Sequence, residues 1–558
     1  MFGTTLREIN QWLIENGYVR DETETRCYTY NGCIKCNQID VPVRFSFYDL
    51  SFLELPDIYL REPRPEALCR PLPHVDHQNK LCYLEDDNLR LDPYQPLQTI
   101  VTLLGQAQRV LKDSVSGANS DDVGYEFLSY WEYTGIGVIL SNHFSGNYMR
   151  FNVLEYISPI GTKHTQMVVG SSDEIDAHSK WRQGKLIHIK HQNAIWVNVT
   201  VTELLPESGI WPPKNFKAFY EWLKDTDSIA ASKMYNMLGT KSGAHSPLLI
   251  VFSTPGGYIG IEIALPKNLL SAISSPGRFR KQLLIDNGKL GVKLSRIMFE
   301  DYSPKFQTSR NLPYKGLSGR HIVLIGCGNI GGYLARLLVQ SGAGLGQGKL
   351  ELYDGQIFTV GNIGRHYLDG AYLNENKAIA CRHKLTTEFP TVNILAKSTN
   401  LFDVRDIAST DIIVDATGRE IFSLSLNKQI VRLRKENHSS PVILYNWIDG
   451  NGCCGRTLFY DGTGGCYRCL QDASGNERFE PLSSKEDLIP MSYKCGESFV
   501  PYPPSASVQA AGMGLEAVLD WANGKPGHHF RNRRFHEKAR QHKNKKLTRI
   551  KECPACQK

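Results

Sequence analysis

His321-Ile-Val-Leu-Ile-Gly-Cys-Gly-Asn-Ile-Gly331 is the stretch on which the reading of this chain turns. An apolar run, His321 to Ile325, feeds into Gly326-x-Gly328-x-x-Gly331, and Tyr333, Leu334, Leu337 and Leu338 follow at helical spacing. That order predicts a strand, a phosphate-cradling turn and a helix. The glycines let backbone amides approach a phosphate, and the helix N-terminus adds partial positive charge where the anion sits. A second apolar run, Lys349-Leu-Glu-Leu-Tyr353, closes at Asp354 and places a carboxylate where a ribose hydroxyl would lie. Up to this point a dinucleotide oxidoreductase fits equally well. Asn362, Arg365 and Lys377 come next, a polar and cationic series that hydride transfer does not need. An enzyme handling a triphosphate does need it, because cations there neutralise charge building on the phosphates during displacement.

With Asp354-x7-Asn362-x2-Arg365-x11-Lys377 attached, residues 305 to 558 resemble the ThiF/MoeB and ubiquitin-activating-enzyme family. The resemblance implies a Rossmann-like adenylation fold that uses ATP and Mg2+ and forms a homodimer through this domain. It also implies the reaction: adenylation of the C-terminal glycine carboxylate of a small β-grasp protein or a similar tail. Gly326, Gly328, Gly331, Asp354 and Asn362 are then the nucleotide contacts, and Arg365 and Lys377 act on the phosphates. Arg310 corresponds to an arginine that the family places before this strand, often across a dimer interface, to touch the phosphates. The family's magnesium-holding aspartate usually lies three residues beyond the position of Asp415, in Asp411-Ile-Ile-Val-Asp415-Ala-Thr-Gly418. Gly418 stands there instead, so the expected ligand is Asp415, or the ion is held mainly by the nucleotide.

Cys466-Tyr-Arg-Cys469 and Cys553-Pro-Ala-Cys556 are two CxxC knuckles, each able to wrap one side of a tetrahedral zinc. The long interval between them is what the resemblance implies, a metal that staples the end of the chain to the core. Four protein ligands leave no open position, so the expected role is structural. Between the knuckles lies Cys495, in Ser492-Tyr-Lys494-Cys495-Gly-Glu497, where the resemblance places a thioester cysteine in a crossing segment. Lys494 beside it would favour the thiolate. Cys327, Cys381, Cys453 and Cys454 sit in apolar or strand contexts and read as core. No basic segment followed by an apolar stretch opens the sequence, so the fourteen cysteines read as reduced and the protein as cytoplasmic.

At the other end, Leu6, Ile9 and Leu13 predict an amphipathic helix over residues 5 to 16. Asn31-Gly32 reads as a hairpin turn, and Val41, Val43, Phe45 and Phe47 alternate in the next strand. Cys33-Ile-Lys-Cys36 has no second pair nearby and reads as a strand-borne structural pair. A proline-rich stretch follows, then His74-Val-Asp-His77-Gln-Asn79-Lys-Leu-Cys82-Tyr-Leu84, then Asp92-Pro93 and a helix from Pro96 to about Leu111. This order resembles the ubiquitin-conjugating-enzyme fold, with Cys82 as the implied catalytic nucleophile and His74 in the family's histidine position. The family's asparagine beside that histidine is missing, and Asn79 is the candidate substitute.

The expected fold is thus α/β and α+β multidomain. Residues 1 to 120 form a ubiquitin-conjugating-like α+β domain, 121 to 304 a linker or docking domain of unknown fold, and 305 to 558 the Rossmann-like ThiF adenylation fold with its structural zinc. The composition, 41% hydrophobic and 22% charged over 558 residues, is that of a soluble globular chain, and no apolar run approaches the ~20 residues of a membrane helix. The net charge of +7 is local: residues 525 to 551 hold eleven Lys/Arg against one acid, +10, which leaves −3 for the rest. Such a run is more often a solvated face than a nucleic-acid site.

Two resemblances in one chain themselves resemble the activating/conjugating fusions of bacterial anti-phage operons of the CBASS type. There the activated carboxylate is the C-terminus of a cGAS/DncV-like nucleotidyltransferase; otherwise it belongs to a ubiquitin-like protein. The implied course is acyl-adenylate, thioester on Cys495, thioester on Cys82, and transfer to a target protein amine. The rivals are a MoeB-type sulfur-carrier adenylyltransferase, which has no need of residues 1 to 120, and a non-catalytic scaffold that binds ATP and zinc.

Overall fold

The computed structural model describes residues 2–65, 68, 72–84, 91–119, 121–141, 146–202, 204, 211–238, 247–264, 294–401, 403–436, 440–483, 491–494, 497–499, 501–527 and 529–556. They fall into two compact units, Met1–Asp301 and Tyr302–Lys558.

The first unit opens with the helix Phe2–Glu15 and an antiparallel meander of β1 (Val19–Asp21), β2 (Tyr28–Cys36), β3 (Ile39–Phe47) and β4 (Asp57–Leu60). Val41, Val43, Phe45 and Phe47 alternate along β3 and all four are buried, as a period of two requires. Their cluster includes Ile9 and Leu13 of the first helix and Ile100, Leu103, Ala107 and Leu111 of the helix Pro96–Ser116.

Asn31-Gly32 is not the hairpin turn expected from sequence. Both residues lie inside β2, where Gly32 pairs with Val43. A Cβ on Gly32 would come within 2.4 Å of the Tyr18 ring, so this glycine serves a close side-chain approach. The turn falls at Asn37-Gln38, with Asn37 in the left-handed region at φ 56°. Cys33 and Cys36 do lie on a strand, one exposed and one buried.

The unit continues with β5 (Gly135–Ile139), β6 (Tyr148–Ile157), β7 (Lys163–Gly170), β8 (Lys185–Leu186), β9 (Gln192–Asn198), β10 (Leu248–Thr254), β11 (Gly257–Ile263) and β12 (Leu294–Asp301). Their order is β7-β5-β12-β11-β10-β9-β6-β8, and β7 also pairs with β6, so the sheet closes on itself. Along β9, Ala194 and Trp196 belong to one apolar cluster, Ile195 and Val197 to another. The second cluster also holds residues of the helices Phe216–Thr226 and Ser228–Leu238. Burial on both faces is why Leu248-Leu-Ile-Val-Phe252 is an unbroken apolar run.

In the second unit, β13 (His321–Ile325), β14 (Lys349–Tyr353), β15 (Ile394–Lys397), β16 (Ile412–Asp415), β17 (Val442–Asp449) and β18 (Cys454–Tyr460) come first. The pair β19 (Met491–Lys494) and β20 (Glu497–Phe499), and then β21 (Phe530–Arg534), follow. The main sheet is ordered β15-β14-β13-β16-β17-β18-β21. Its first five strands are parallel, while β18 and β21 are antiparallel to their neighbours. The two apolar runs of the sequence are β13 and β14, residue for residue. From β13 the chain winds first to β14 and β15, then crosses to β16, which opens a crevice beyond the C-terminal ends of β13 and β16. Among the described residues, no helix is long and apolar enough to cross a membrane.

Candidate nucleotide, metal and cysteine sites

A cavity of about 530 Å³ occupies that crevice. Gly326 sits at φ +89°, and a Cβ there would come within 2.9 Å of the Thr417 backbone; a Cβ on Gly331 would meet the Gly326 carbonyl oxygen at 1.7 Å. Only glycine permits this packing of turn, helix and neighbouring strand. Gly328, the N-cap of the helix Asn329–Gln340, has nothing within 4 Å of its absent Cβ and lines the cavity. The N–H groups of the first helical turn lack intrahelical acceptors and can receive an anion there. Leu401, Val404, Phe422 and Leu426 form an apolar slot for a base, and Asp354, Asn362 and Lys377 line the polar side. This set fits ATP.

Asp354 fixes the turn. Its Oδ2 accepts from the Cys327 N–H at 2.8 Å and its Oδ1 from the Gln356 N–H at 2.7 Å. Lys377 is 6% exposed and donates from Nζ to Gln356 Oε1 at 2.9 Å. Burial pulls its ammonium below the ordinary lysine value, while Asp354 works to hold the proton. Asn362 sits in the short helix Val360–Arg365, where its Oδ1 accepts from the Thr359 N–H at 3.1 Å. The Arg365 guanidinium lies over the Tyr502 ring at 4.5 Å, and Tyr502 lines the cavity. Gln356, Tyr502, Arg419 and Asn400 line it too without having been expected. Of these, Tyr502 alone gave a signal, an aromatic between prolines.

His366, next to Arg365, is a further element that sequence reasoning missed. Its Nε2–H donates to the Cys327 carbonyl at 2.8 Å, and its Nδ1 accepts from the Leu368 N–H at 2.9 Å, which fixes the neutral tautomer. It latches the glycine turn to the Asn362–Arg365 segment. Burial lowers its pKa from 6.5 to about 4. The unfolded chain therefore takes up this proton near pH 6.5 and the folded one only near 4, so the stability is complete above 6.5 and drains away as the pH falls toward 4. His366→Gln keeps a donor but cannot titrate. We expect it to remove on the order of 2 kcal/mol of the stability loss between pH 7 and 5, measured by denaturant unfolding at each pH. An unchanged acid limb would refute this.

The expected magnesium ligand is not brought to the cavity. Asp415 is 2% exposed and absent from the lining. Its Oδ1 accepts from the Thr417 N–H and Oγ1 at 3.0 and 2.7 Å, and its Oδ2 from Ser423 Oγ at 2.5 Å. Burial raises its pKa, with these hydrogen bonds opposing. Asp354, the single carboxylate among the described lining residues, already accepts a backbone N–H on each oxygen. These donors do not fit a protein-held divalent cation. Arg310 also lies outside the lining, at the end of the helix Pro304–Ser309 with its guanidinium 5.8 Å from the Phe306 ring centre.

Cys466, Cys469, Cys553 and Cys556 converge, all buried, with their sulfurs within 4.8 Å of one another. The closest pairs are 3.5, 3.8 and 4.0 Å apart. Four sulfurs held at roughly 2.3 Å around a tetrahedral zinc would be about 3.8 Å apart, so the geometry fits that ion. Asn427 Nδ2 donates to Cys466 Sγ at 3.4 Å, a contact that supports a thiolate. Much of the basic tail is paired within this unit: Arg531 pairs with Asp520, Arg533 with Glu516 and Arg540 with Glu480, and Arg549 donates to the Gly462 and Gly464 carbonyls.

In the first unit Cys82 is exposed, and its N–H donates to the His74 carbonyl at 2.7 Å. His74, 4% exposed and at φ 62°, is clamped from both sides: Nδ1 lies 2.8 Å from Glu126 Oε1 and Nε2 3.3 Å from Asp122 Oδ2. Burial pushes the Glu126 carboxyl up, but hydrogen bonds from His74 and Tyr130 bring it below its ordinary value. The Asn79 side-chain oxygen accepts from Arg64. Cys495 lies outside the described residues.

Residues 300–557 match the family model of the ThiF family, and residues 15–135 that of Prokaryotic E2 family B. The chain is therefore an E2-like/ThiF fusion, an activating and conjugating transferase. It is similar over most of its length to proteins called ATP-dependent ubiquitin transferase-like protein Cap2. The Pseudomonas aeruginosa protein is 29% identical over 487 residues, 85% of this chain and 84% of that one. The Escherichia coli protein is 27% identical over 538 residues, 90% of this chain and 89% of that one. Among solved structures, E. coli MccB with MccA-N7isoASN matches at 18% identity and a TM-score of 0.34, over 43% of this chain and 68% of that one.

Proposed function

We propose that this protein activates the C-terminal glycine of a partner protein with ATP, carries the acyl group as a thioester first on Cys495 and then on Cys82, and delivers it to an amine of a target protein. The observation that carries this reading is the presence in one chain of a Gly326/Asp354/Lys377 cavity in the ThiF part and an exposed Cys82 in the E2-family part. The name shared by the relatives supports ubiquitin-like conjugation. The CBASS setting, with a cGAS/DncV-like nucleotidyltransferase as the activated protein, rests on the sequence resemblance, as do a homodimer in which Arg310 reaches the partner copy's nucleotide and a cytoplasmic location.

The chemistry balances at each step. A carboxylate oxygen attacks the α-phosphorus, the bond to the β-phosphate oxygen breaks, and pyrophosphate leaves. The Cys495 thiolate then attacks the acyl carbon and releases AMP; the Cys82 thiolate displaces Cys495; an amine attacks the Cys82 thioester and loses its proton as the thiolate departs. Each thioester preserves the activation while dividing one hard step into easier ones. The residues that hold ATP are the glycine turn, Asp354, Asn362, Lys377 and Arg365. Partner-dependent exchange of labelled pyrophosphate into ATP, with a thioester trapped on gels, tests the reading. Exchange with no thioester on Cys82 would leave a MoeB-type adenylyltransferase, and no exchange would leave a scaffold.

Zinc in the four-cysteine site is proposed as structural. About one zinc per chain should be found, and Cys553→Ser should lower both the zinc content and the melting temperature of the ThiF part, since binding energy at such a site is folding energy. A metal-free protein as stable as the native one would overturn this.

A further inference from the structure

Charge in the cavity is distributed unevenly. A bound triphosphate brings several negative charges, yet the described lining offers one carboxylate, Asp354, whose two oxygens already accept the Cys327 and Gln356 N–H groups. Two cationic side chains line it as well. Lys377 is buried, and Arg419, directly after Gly418, is exposed.

The chain is built to present that arginine. Asp415 holds Thr417 by its N–H and hydroxyl, Gly418 turns the backbone at φ +64°, and the Arg419 N–H donates back to Thr417 Oγ1 at 3.3 Å before the helix Glu420–Glu436 begins. No carboxylate of the described residues forms an ion pair with the Arg419 side chain. An exposed guanidinium on the wall of a cavity that also holds a buried ammonium, with no acid partner among the described residues, is arranged for an anion with more than one charged oxygen.

We propose that Arg419 binds the phosphates of the nucleotide, and that it supplies the positive charge for which this site has no carboxylate-held divalent cation. The proposal rests on the ATP reading above. Any Mg2+ then rides on the nucleotide, and Asp415 acts as a positioning residue that shapes the turn carrying Arg419.

The test is ATP binding to the full-length protein by calorimetry, in Mg2+ and in EDTA, with adenosine as a second probe. The unsubstituted protein should bind ATP in EDTA within a few-fold of its affinity in Mg2+. Arg419→Ala should weaken ATP binding about 10- to 100-fold, as expected for loss of a charge-assisted phosphate contact, and leave adenosine binding unchanged. Arg419→Lys should restore most of the loss. Adenosine binding shows that the variant cavity is intact. Equal ATP affinity in Arg419→Ala and the unsubstituted protein, or ATP binding that vanishes in EDTA, overturns the proposal while leaving the ATP reading standing. An unsubstituted protein that binds no ATP under either condition overturns that reading as well.

Discussion

Lys377→Ala is expected to lower partner-dependent pyrophosphate exchange by roughly 10²- to 10³-fold, the usual effect of removing one preorganised charge from a site where transition-state charge develops. The expectation follows from where the ammonium sits. It is buried, its Nζ is fixed by Gln356 Oε1, and the charge of Asp354 favours its protonated form against that burial. A cation already oriented and stripped of water needs no reorganisation when phosphate charge builds. The fold should survive, because Asp354 keeps both of its backbone donors and the lost ammonium was itself opposed by burial. At sub-saturating ATP, where the rate reports the unliganded site, the burial that lowers the Lys377 pKa is expected to give exchange an alkaline limb that begins below the ordinary lysine range. Arg365→Ala should fall in a similar range: Arg365 is not itself among the lining residues, but its guanidinium stands on the ring of Tyr502, which lines the cavity. Near-normal exchange in both variants would remove adenylation from the proposed function.

What the sequence made legible was whatever short-range pattern specifies. The strands His321–Ile325 and Lys349–Tyr353 are apolar runs bounded by glycine or acid, and Gly326 and Gly331 between them meet steric limits that no other residue meets. The four-cysteine cluster was legible too, because a pair at CxxC spacing announces half of a tetrahedral site however far away the other half lies. Contacts between distant segments were not. The closed sheet of the first unit joins β5 to β12 across most of the unit, and nothing local signals that pairing. His74 gives no hint of Asp122 and Glu126, which reach it from beyond the helix Pro96–Ser116. Asn31-Gly32 has the composition of a turn, but a ring from Tyr18 needed the space. Asp415 shows the same limit at the nucleotide site. An acid at a strand end suits an ion on chemistry alone, but Ser423, eight residues on, occupies one of its oxygens.

Cys495→Ala should still form the adenylate and should lose every thioester, whereas Cys82→Ala should accumulate a reducible adduct on Cys495. The asymmetry comes from chain position: an adenylate is attacked by whichever thiolate is held beside it. Cys495 belongs to the unit that carries the cavity, and Cys82 belongs to the other unit. Exposure of Cys82 suits a second acceptor, one that must be reached by a thioester carried on another residue. Its surroundings also suit transfer. The Cys82 N–H is tied to the His74 carbonyl and the His74 ring is held between Glu126 and Asp122, so the backbone at Cys82 is positioned independently of the state of its thiol. Serine in place of either cysteine sharpens the test, because an oxyester resists thiol reagents and persists on a gel. Cys82→Ser should therefore trap a stable adduct that Cys495→Ala prevents. Normal charging of Cys82 in Cys495→Ala would mean that Cys82 takes the acyl group directly from the adenylate; no charging of either cysteine, with exchange intact, would leave adenylation as the whole of the activity.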